Sequence, residues 1–219
     1  MAGDIRVCFI GDSFVQGVGD PEYRGWVGRV LQATRVPGGE VTGFNLGIRR
    51  NTSDEVLARC WEEVSRRLSP GADNRLVVSF GSNDAVEEDG SVRVAPERTL
   101  DNLTQLLTEC ARRGMPALVV GPPPVCSAGP AHLERLLSLN HRLEAVCTRA
   151  GVPWVPVTEA LAQDRVWRAE AESGDGAHPG AGGYTGLAAL VLAAGWQRWI
   201  SAPGHGPAVT PGAAGSPAV

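Results

Sequence analysis

Five short runs of aliphatic and β-branched residues, bounded by Gly, Pro or Asn, alternate with longer stretches of helical period, and this alternation leaves few folds open. The runs are Ile5–Ile10, Val41–Leu46, Leu76–Phe80, Ala117–Val120 and Trp154–Val157. Apolar residues fill them instead of alternating with polar ones, as expected for strands buried on both faces of a parallel sheet. Between them the spacing predicts helices over Trp26–Thr34, Asp54–Leu68 (with Thr52 or Ser53 as N-cap), Glu97–Arg113 and Ala131–Ala150, the last two stopped by Gly and Pro. A further helix, about Gly183–Ile200, offers Leu187, Leu190, Val191 and Trp199 to the sheet. Strand and helix in strict alternation imply an α/β fold: a five-stranded parallel sheet between two helical layers.

With 219 residues, 43% of them hydrophobic, the chain can bury one substantial core. Residues 1–200 read as one domain. Residues 201–219 are rich in Pro, Gly and Ala without an aromatic residue, cannot repay their ordering entropy by burial, and are expected to be a disordered tail. The formal charge of −4 argues against a polyanion-binding surface, so nucleic acid is not an expected partner. Every one of the 20 basic residues is Arg, which excludes Schiff-base, P-loop and general-base lysine chemistry. Five cysteines without a C-x-x-C pair suggest neither a disulfide framework nor a zinc site, and they are expected to pack as small apolar groups. No signal peptide and no membrane-spanning run is apparent, so a reducing, cytoplasmic setting is expected. No metal or other cofactor is called for.

Three sites carry possible chemistry. Gly11-Asp12-Ser13-Phe14 follows the first strand and puts a serine on a strand-to-helix turn, which seats a nucleophile well and equally suits a helix-capping turn serine. Gly81-Ser82-Asn83-Asp84 follows the third strand, where the Asn83 carboxamide can donate to charge developing on a carbonyl oxygen. Asp175-Gly176-Ala177-His178-Pro179 precedes the last helix and sets a carboxylate three residues ahead of an imidazole, close enough to orient it. His132 and His141 lie within a helical pattern and His205 in the tail, so His178 is the catalytic candidate. Polar residues 86–94 and the segment 125–130 follow strand ends, where open α/β sheets place ligand-contacting loops.

Taken in order, these motifs resemble the blocks of the SGNH hydrolases, also called GDSL esterases or lipases. Gly11-Asp12-Ser13-Phe14 resembles the first block, Asn45-Leu46-Gly47 with Thr52 the second, Gly81-Ser82-Asn83-Asp84 the third and Asp175-Gly176-Ala177-His178-Pro179 the fifth. The resemblance spans roughly residues 5–200. It implies a flavodoxin-like three-layer α/β/α sandwich, a catalytic triad of Ser13, His178 and Asp175, and an oxyanion hole. That hole would be formed by the amide of Ser13, a second-block amide and the Asn83 side chain.

Two departures stand out. Many members carry glycine where this chain has Arg50, and they draw the second-block amide from it. An N–H survives any substitution except proline, so Arg50 remains the expected donor, with Gly47 as the alternative. The Arg50 guanidinium either clamps an anionic substrate or folds out to solvent. Phe14 replaces the namesake leucine, which should alter packing and leave mechanism unchanged. The function implied is hydrolysis of small-molecule carboxylic esters or thioesters through an acyl-enzyme. Acyl transfer to an alcohol or amine would use the same triad, and a flavodoxin-like nucleotide-binding module is the other class considered. Oligomeric state is left open.

Overall fold

The structure, a computed structural model, describes residues 3–203. Strands β1 (Asp4–Gly11), β2 (Glu40–Gly47), β3 (Asp73–Ser79), β6 (Ala117–Val120) and β7 (Trp154–Val155) form one parallel sheet in the order β2-β1-β3-β6-β7. Counting only those five strands, the order is that of flavodoxin-like folds. The polar segment after β3 folds into a small antiparallel hairpin of β4 (Glu87–Glu88) and β5 (Ser91–Val92).

The sheet divides two cores because successive side chains of a strand point to opposite faces. Val7 and Phe9 of β1 join Trp26, Trp167, Leu187 and Trp196, contributed by α2 (Gly25–Ala33), α7 (Arg165–Ser173), α8 (Ala181–Val191) and the π-helical turn Leu192–Trp196 that follows α8. Cys8 and Ile10 join Cys60, Leu103, Leu106 and Leu143, contributed by α3 (Ser53–Ser65), α4 (Pro96–Arg112) and α5 (Gly129–Ala150). Each large side chain so buried contributes about 1.5–3 kcal/mol over its exposed state. The three-layer α/β/α sandwich expected from the alternation of elements is the observed architecture.

The boundaries differ from the sequence expectation where polar residues are buried. Strand β3 begins at Asp73 because Arg75, 1% exposed, is neutralised by Asp73 and donates to the carbonyls of Trp199 and Ala202. Helix α3 begins at Ser53 and ends three residues early, at Ser65; Glu55 accepts from both the N–H and the hydroxyl of its cap Thr52. Two short helices, α6 (Thr158–Gln163) and α7, were not expected. Asp164, accepting from the N–H groups of Val166 and Trp167, is the cap that marks the second. The final helix α9 (Gln197–Ser201) runs one residue past the boundary at 200, and Ala202 is tied down by Arg75. The expected tail beyond it lies, from residue 204, outside the described residues. All five cysteines are free, four of them buried and Cys126 half-buried. Among the described residues no helix is long and apolar enough to cross a membrane.

Gly11 ends β1 where β2 and β3 flank it, and a Cβ there would lie 2.0 Å from the Ser79 carbonyl oxygen and 2.6 Å from Val15 Cγ2. Gly11→Ala should therefore cost about 1–3 kcal/mol and lower Tm by about 2–4 °C per kcal/mol in a domain of this size. Gly3→Ala, with nothing within 4 Å of the added carbon, is the control and should leave Tm unchanged in calorimetry. Equal melting of the two variants would show that the β1–β3 junction yields freely.

Candidate active site

Asp12 leaves β1 and caps the one-turn helix α1 (Ser13–Gln16), its carboxylate accepting from the Phe14 N–H at 2.9 Å. Ser13 is thus the first helical residue, and its own N–H has no partner within the helix. The left-handed Gly17, φ 85°, ends the turn at once. The Ser13 hydroxyl donates to Nε2 of His178 at 2.7 Å, and Nδ1 of His178 donates to Oδ2 of Asp175 at 2.7 Å. The other Asp175 oxygen accepts from the N–H groups of Ala177 and His178, so the carboxylate is fixed by its own turn. This arrangement selects the Nδ1–H tautomer and leaves Nε2 free to take the serine proton.

The His178 loop is fixed by ring packing and by the segment that follows α1. Phe14 lies between Trp167, 5.7 Å centroid to centroid, and the His178 ring, at 5.1 Å, so the residue that departs from the namesake leucine braces the imidazole. Tyr184 donates to the Val18 carbonyl at 2.7 Å. Gly19, φ 89°, lets the loop after α1 approach the Pro179 carbonyl to a distance that a Cβ would not permit.

Burial of His178 pushes its pKa below the ordinary imidazole range, and the hydrogen bond and charge of Asp175 offset this only in part. Burial also raises Asp175, but the N–H and imidazole of His178 with the Ala177 N–H prevail and hold its carboxyl at about 2. Asp12 shows the reverse balance. Full burial, with Asp84 adding to it, pushes Asp12 up to about 7 against the pull of the Phe14 N–H.

The second block approaches from β2. Asn45 donates to the Val15 carbonyl at 2.7 Å and accepts from the Gly47 N–H at 3.0 Å. A Cβ on Gly47 would lie 2.1 Å from the Gln16 nitrogen. Gly47 is therefore a packing contact under the nucleophile turn, and its engaged N–H is not available as the alternative donor. Arg50 is left-handed at φ 68°, the conformation that explains a glycine preference at this position. Its N–H makes no hydrogen bond among the described residues. The Arg50 guanidinium is solvent-facing, its side chain 66% exposed, and donates to Glu88 on the hairpin at 2.8 Å at the cavity mouth. Arg59, which sequence inspection did not single out, ties this turn down by donating to the Asn51 side chain and the Gly11 carbonyl.

The third block is set by buried polar contacts. Asp84, fully buried, accepts from the Ser53 N–H at 3.0 Å and the Thr99 hydroxyl at 2.8 Å, joining β3 to the starts of α3 and α4. Burial raises its pKa while those two residues hold it down. Ser82 donates to the Pro123 carbonyl, and its own carbonyl meets Nε2 of the buried His132 at 3.0 Å, so His132 is a structural residue; His141 is exposed, and His205 lies outside the described residues. Asn83 projects between these anchors, with one N–H on the Asn51 carbonyl at 3.0 Å and the other 3.4 Å from Asp12.

Ser13, His178 and Asn83 open into one cavity of about 210 Å³, walled by Phe14, Val86 and Val125 and by the three arginines Arg49, Arg50 and Arg93. Among the described residues no cluster of three or more His, Cys, Asp or Glu is arranged to hold a metal. A larger hollow of about 620 Å³, near the amino ends of β6 and β7, contains none of the candidate residues.

The sequence matches the profile of the GDSL-like lipase/acylhydrolase family over residues 9–185. The chain belongs to that family. Solved structures of similar fold include a lipase/acylhydrolase from Enterococcus faecalis (22% identity, TM-score 0.69, covering 90% of this chain and 97% of that one). An acetylxylan esterase from Geobacillus stearothermophilus superimposes with a TM-score of 0.71 at 20% identity, covering 92% and 99% of the two chains. The esterase EstA from a Pseudoalteromonas species gives 0.68 at 13% identity, covering 89% and 98%. No curated protein matches the sequence. Family membership supports a hydrolase of the esterase and lipase type.

A base must be neutral to accept a proton, so if His178 is the base, activity should rise with pH as it loses its own. Because burial depresses that pKa, the acid limb of kcat/KM should have its midpoint below the ordinary imidazole value of about 6.5. A limb centred above that value would mean that Asp175 outweighs burial.

Proposed function

We propose that the chain hydrolyses small carboxylic esters or thioesters by acyl-enzyme chemistry, with Ser13 as nucleophile, His178 as general base and acid, and Asp175 as its orienting anion. The observation that carries this reading is the unbroken relay at 2.7 Å from Ser13 to His178 and 2.7 Å from His178 to Asp175, opening into a cavity. As the serine oxygen bonds to the carbonyl carbon, its proton passes to Nε2 of His178. The carbonyl oxygen, now negative, receives hydrogen bonds from the N–H groups of Ser13 and Arg50 and from Asn83. Asn83 can exchange its long contact with Asp12 for this shorter, charge-assisted one. Collapse breaks the bond to the alcohol or thiol, which leaves with the His178 proton. Water, deprotonated by His178, then attacks the acyl carbon and restores the serine.

The cavity is smaller than the ~300–1,000 Å³ typical of drug-sized ligands. Short acyl groups suit it, and a name such as acetylxylan esterase among the proteins of similar fold is in keeping with that size. The unpaired cysteines suit the reducing, cytoplasmic setting expected above. A phosphate-binding module is disfavoured because the Asp12 carboxylate already occupies the N-terminus of α1.

Ser13→Ala and His178→Ala should each abolish hydrolysis of a short 4-nitrophenyl ester, and the double variant should be no worse than either, since triad members act as one unit. A serine-directed phosphonate should label wild type once and Ser13→Ala not at all. Asn83→Ala should lower kcat by ~10²–10³. Arg50→Gly should keep kcat within a few fold, because the N–H remains and glycine adopts φ 68° without strain. Activity surviving in pure Ser13→Ala would refute the assignment, and multiplicative losses in the double variant would dissolve the triad.

A further inference from the structure

Arg29, Arg59, Arg75 and Arg93 each have a side chain at most 16% exposed. Three of them are well bonded. Arg29 donates to Asp20, Glu22, Thr185 and the Gly25 carbonyl. Arg59 donates to Glu63, Asn51 and the Gly11 carbonyl. Arg75 donates to Asp73 and two carbonyls near the end of α9. Arg93 alone makes no side-chain hydrogen bond among the described residues, although a guanidinium carries five donors. Its Nε is 3.7 Å from Glu88 and its Nη2 is 4.0 Å from Glu55.

Both carboxylates also serve other residues, although the Glu88 oxygen facing Arg93 is not the one that Arg50 holds. Glu88 accepts from Arg50 at 2.8 Å, and the Glu55 oxygen that faces Arg93 accepts from the N–H and hydroxyl of Thr52. The position of Arg93 is itself well determined, since its backbone N–H donates to the Val86 carbonyl across the hairpin at 2.9 Å. The unfilled donors of Arg93 are not sealed from solvent, so a ligand oxygen entering the cavity can replace water on them. Arg93 lines the same cavity as Ser13 and His178.

From this geometry we infer that Arg93, flanked by Arg50, receives an anionic oxyacid group of the substrate, so that the preferred esters carry a carboxylate or phosphate beside the scissile bond. Glu88 stands between the two guanidiniums and competes with that group. The inference rests on the hydrolase reading and adds a substrate class to it. Arg93 is a specificity residue, and the bonds broken and formed are those of ester hydrolysis described above.

The test compares ester pairs that differ in charge and by one methyl group. On the acyl side, mono-4-nitrophenyl succinate is set against its methyl ester; on the alcohol side, 4-acetoxybenzoate against methyl 4-acetoxybenzoate. Wild type should favour the anionic member of at least one pair in kcat/KM. Arg93→Gln should lower that anionic-to-neutral ratio about tenfold or more, chiefly through KM, and Arg93→Lys should restore part of it. Glu88→Gln should raise the ratio by removing the competitor. Succinate and inorganic phosphate as competitive inhibitors of wild type then distinguish the two oxyanions by which binds more tightly. A ratio unchanged within about twofold in both Arg93→Gln and Glu88→Gln, for both pairs, overturns the inference while leaving the hydrolase intact. Absence of Ser13-dependent hydrolysis of all four esters would instead remove the hydrolase reading, and this one with it. Because the two substitutions act in opposite directions from different positions, misfolding of either does not imitate the expected pattern.

Discussion

Strand β1 is paired with parallel neighbours on both sides from Ile5 to Gly11, and the carboxyl ends of the three strands fall level at Gly11, Gly47 and Ser79. Such close register is possible because Gly11 and Gly47 carry no side chain where the nucleophile turn crosses them. The turns leaving β1, β2 and β3 therefore emerge side by side at the point where strand order reverses, as open α/β sheets place their ligand crevice. His178 comes from much later in the chain. It shortly precedes α8, whose Tyr184 and Thr185 bind the Val18 carbonyl and Arg29, so the loop after Ser13 and the loop bearing His178 are fastened to one another.

The site holds two carboxylates of the same chemical type in opposite electrostatic conditions. Asp175, half-exposed and surrounded by donors, is held at about 2 and is a full anion beside the imidazole. Asp12, completely buried directly before the nucleophile, is pushed up to about 7. Asp175 is thus held as an anion beside His178, while burial disfavours charge on Asp12 beneath Ser13 and Asn83. Asp84 completes the scheme. Its contacts to Ser53 and Thr99 fix the third block from below, leaving Asn83 to face the cavity.

The hairpin β4–β5 adds a wall that the sheet alone does not provide. It contributes Glu88 and, just beyond it, Arg93, and it is joined to the second-block turn through Arg50. An ion pair this exposed adds little to stability, typically ~0–1 kcal/mol. Its consequence is the shape and charge of the cavity mouth. Ser13 and Asn83 leave the rigid sheet edge, while Arg50, Glu88 and Arg93 sit on the adjoining loops.

The strand runs, the order of elements and the Ser13, Asn83 and Asp175/His178 motifs were legible in the chain because each depends on local pattern: apolar runs, turn residues and an acid three residues from an imidazole. Helices α6 and α7 were not, being too short for a clear period. The start of β3 was hidden because Arg75 is charged and becomes strand-like only when Asp73 and the carbonyls of α9 neutralise it. Arg50 shows the same division within one residue. Its place in the second block was readable from spacing, but its left-handed backbone and the direction of its guanidinium toward Glu88 depend on a hairpin 38 positions away. Local sequence determined which chemical groups stand at the sheet edge. Tertiary packing decided their protonation and which donors remain unfilled, because both follow from burial and from partners distant in the chain.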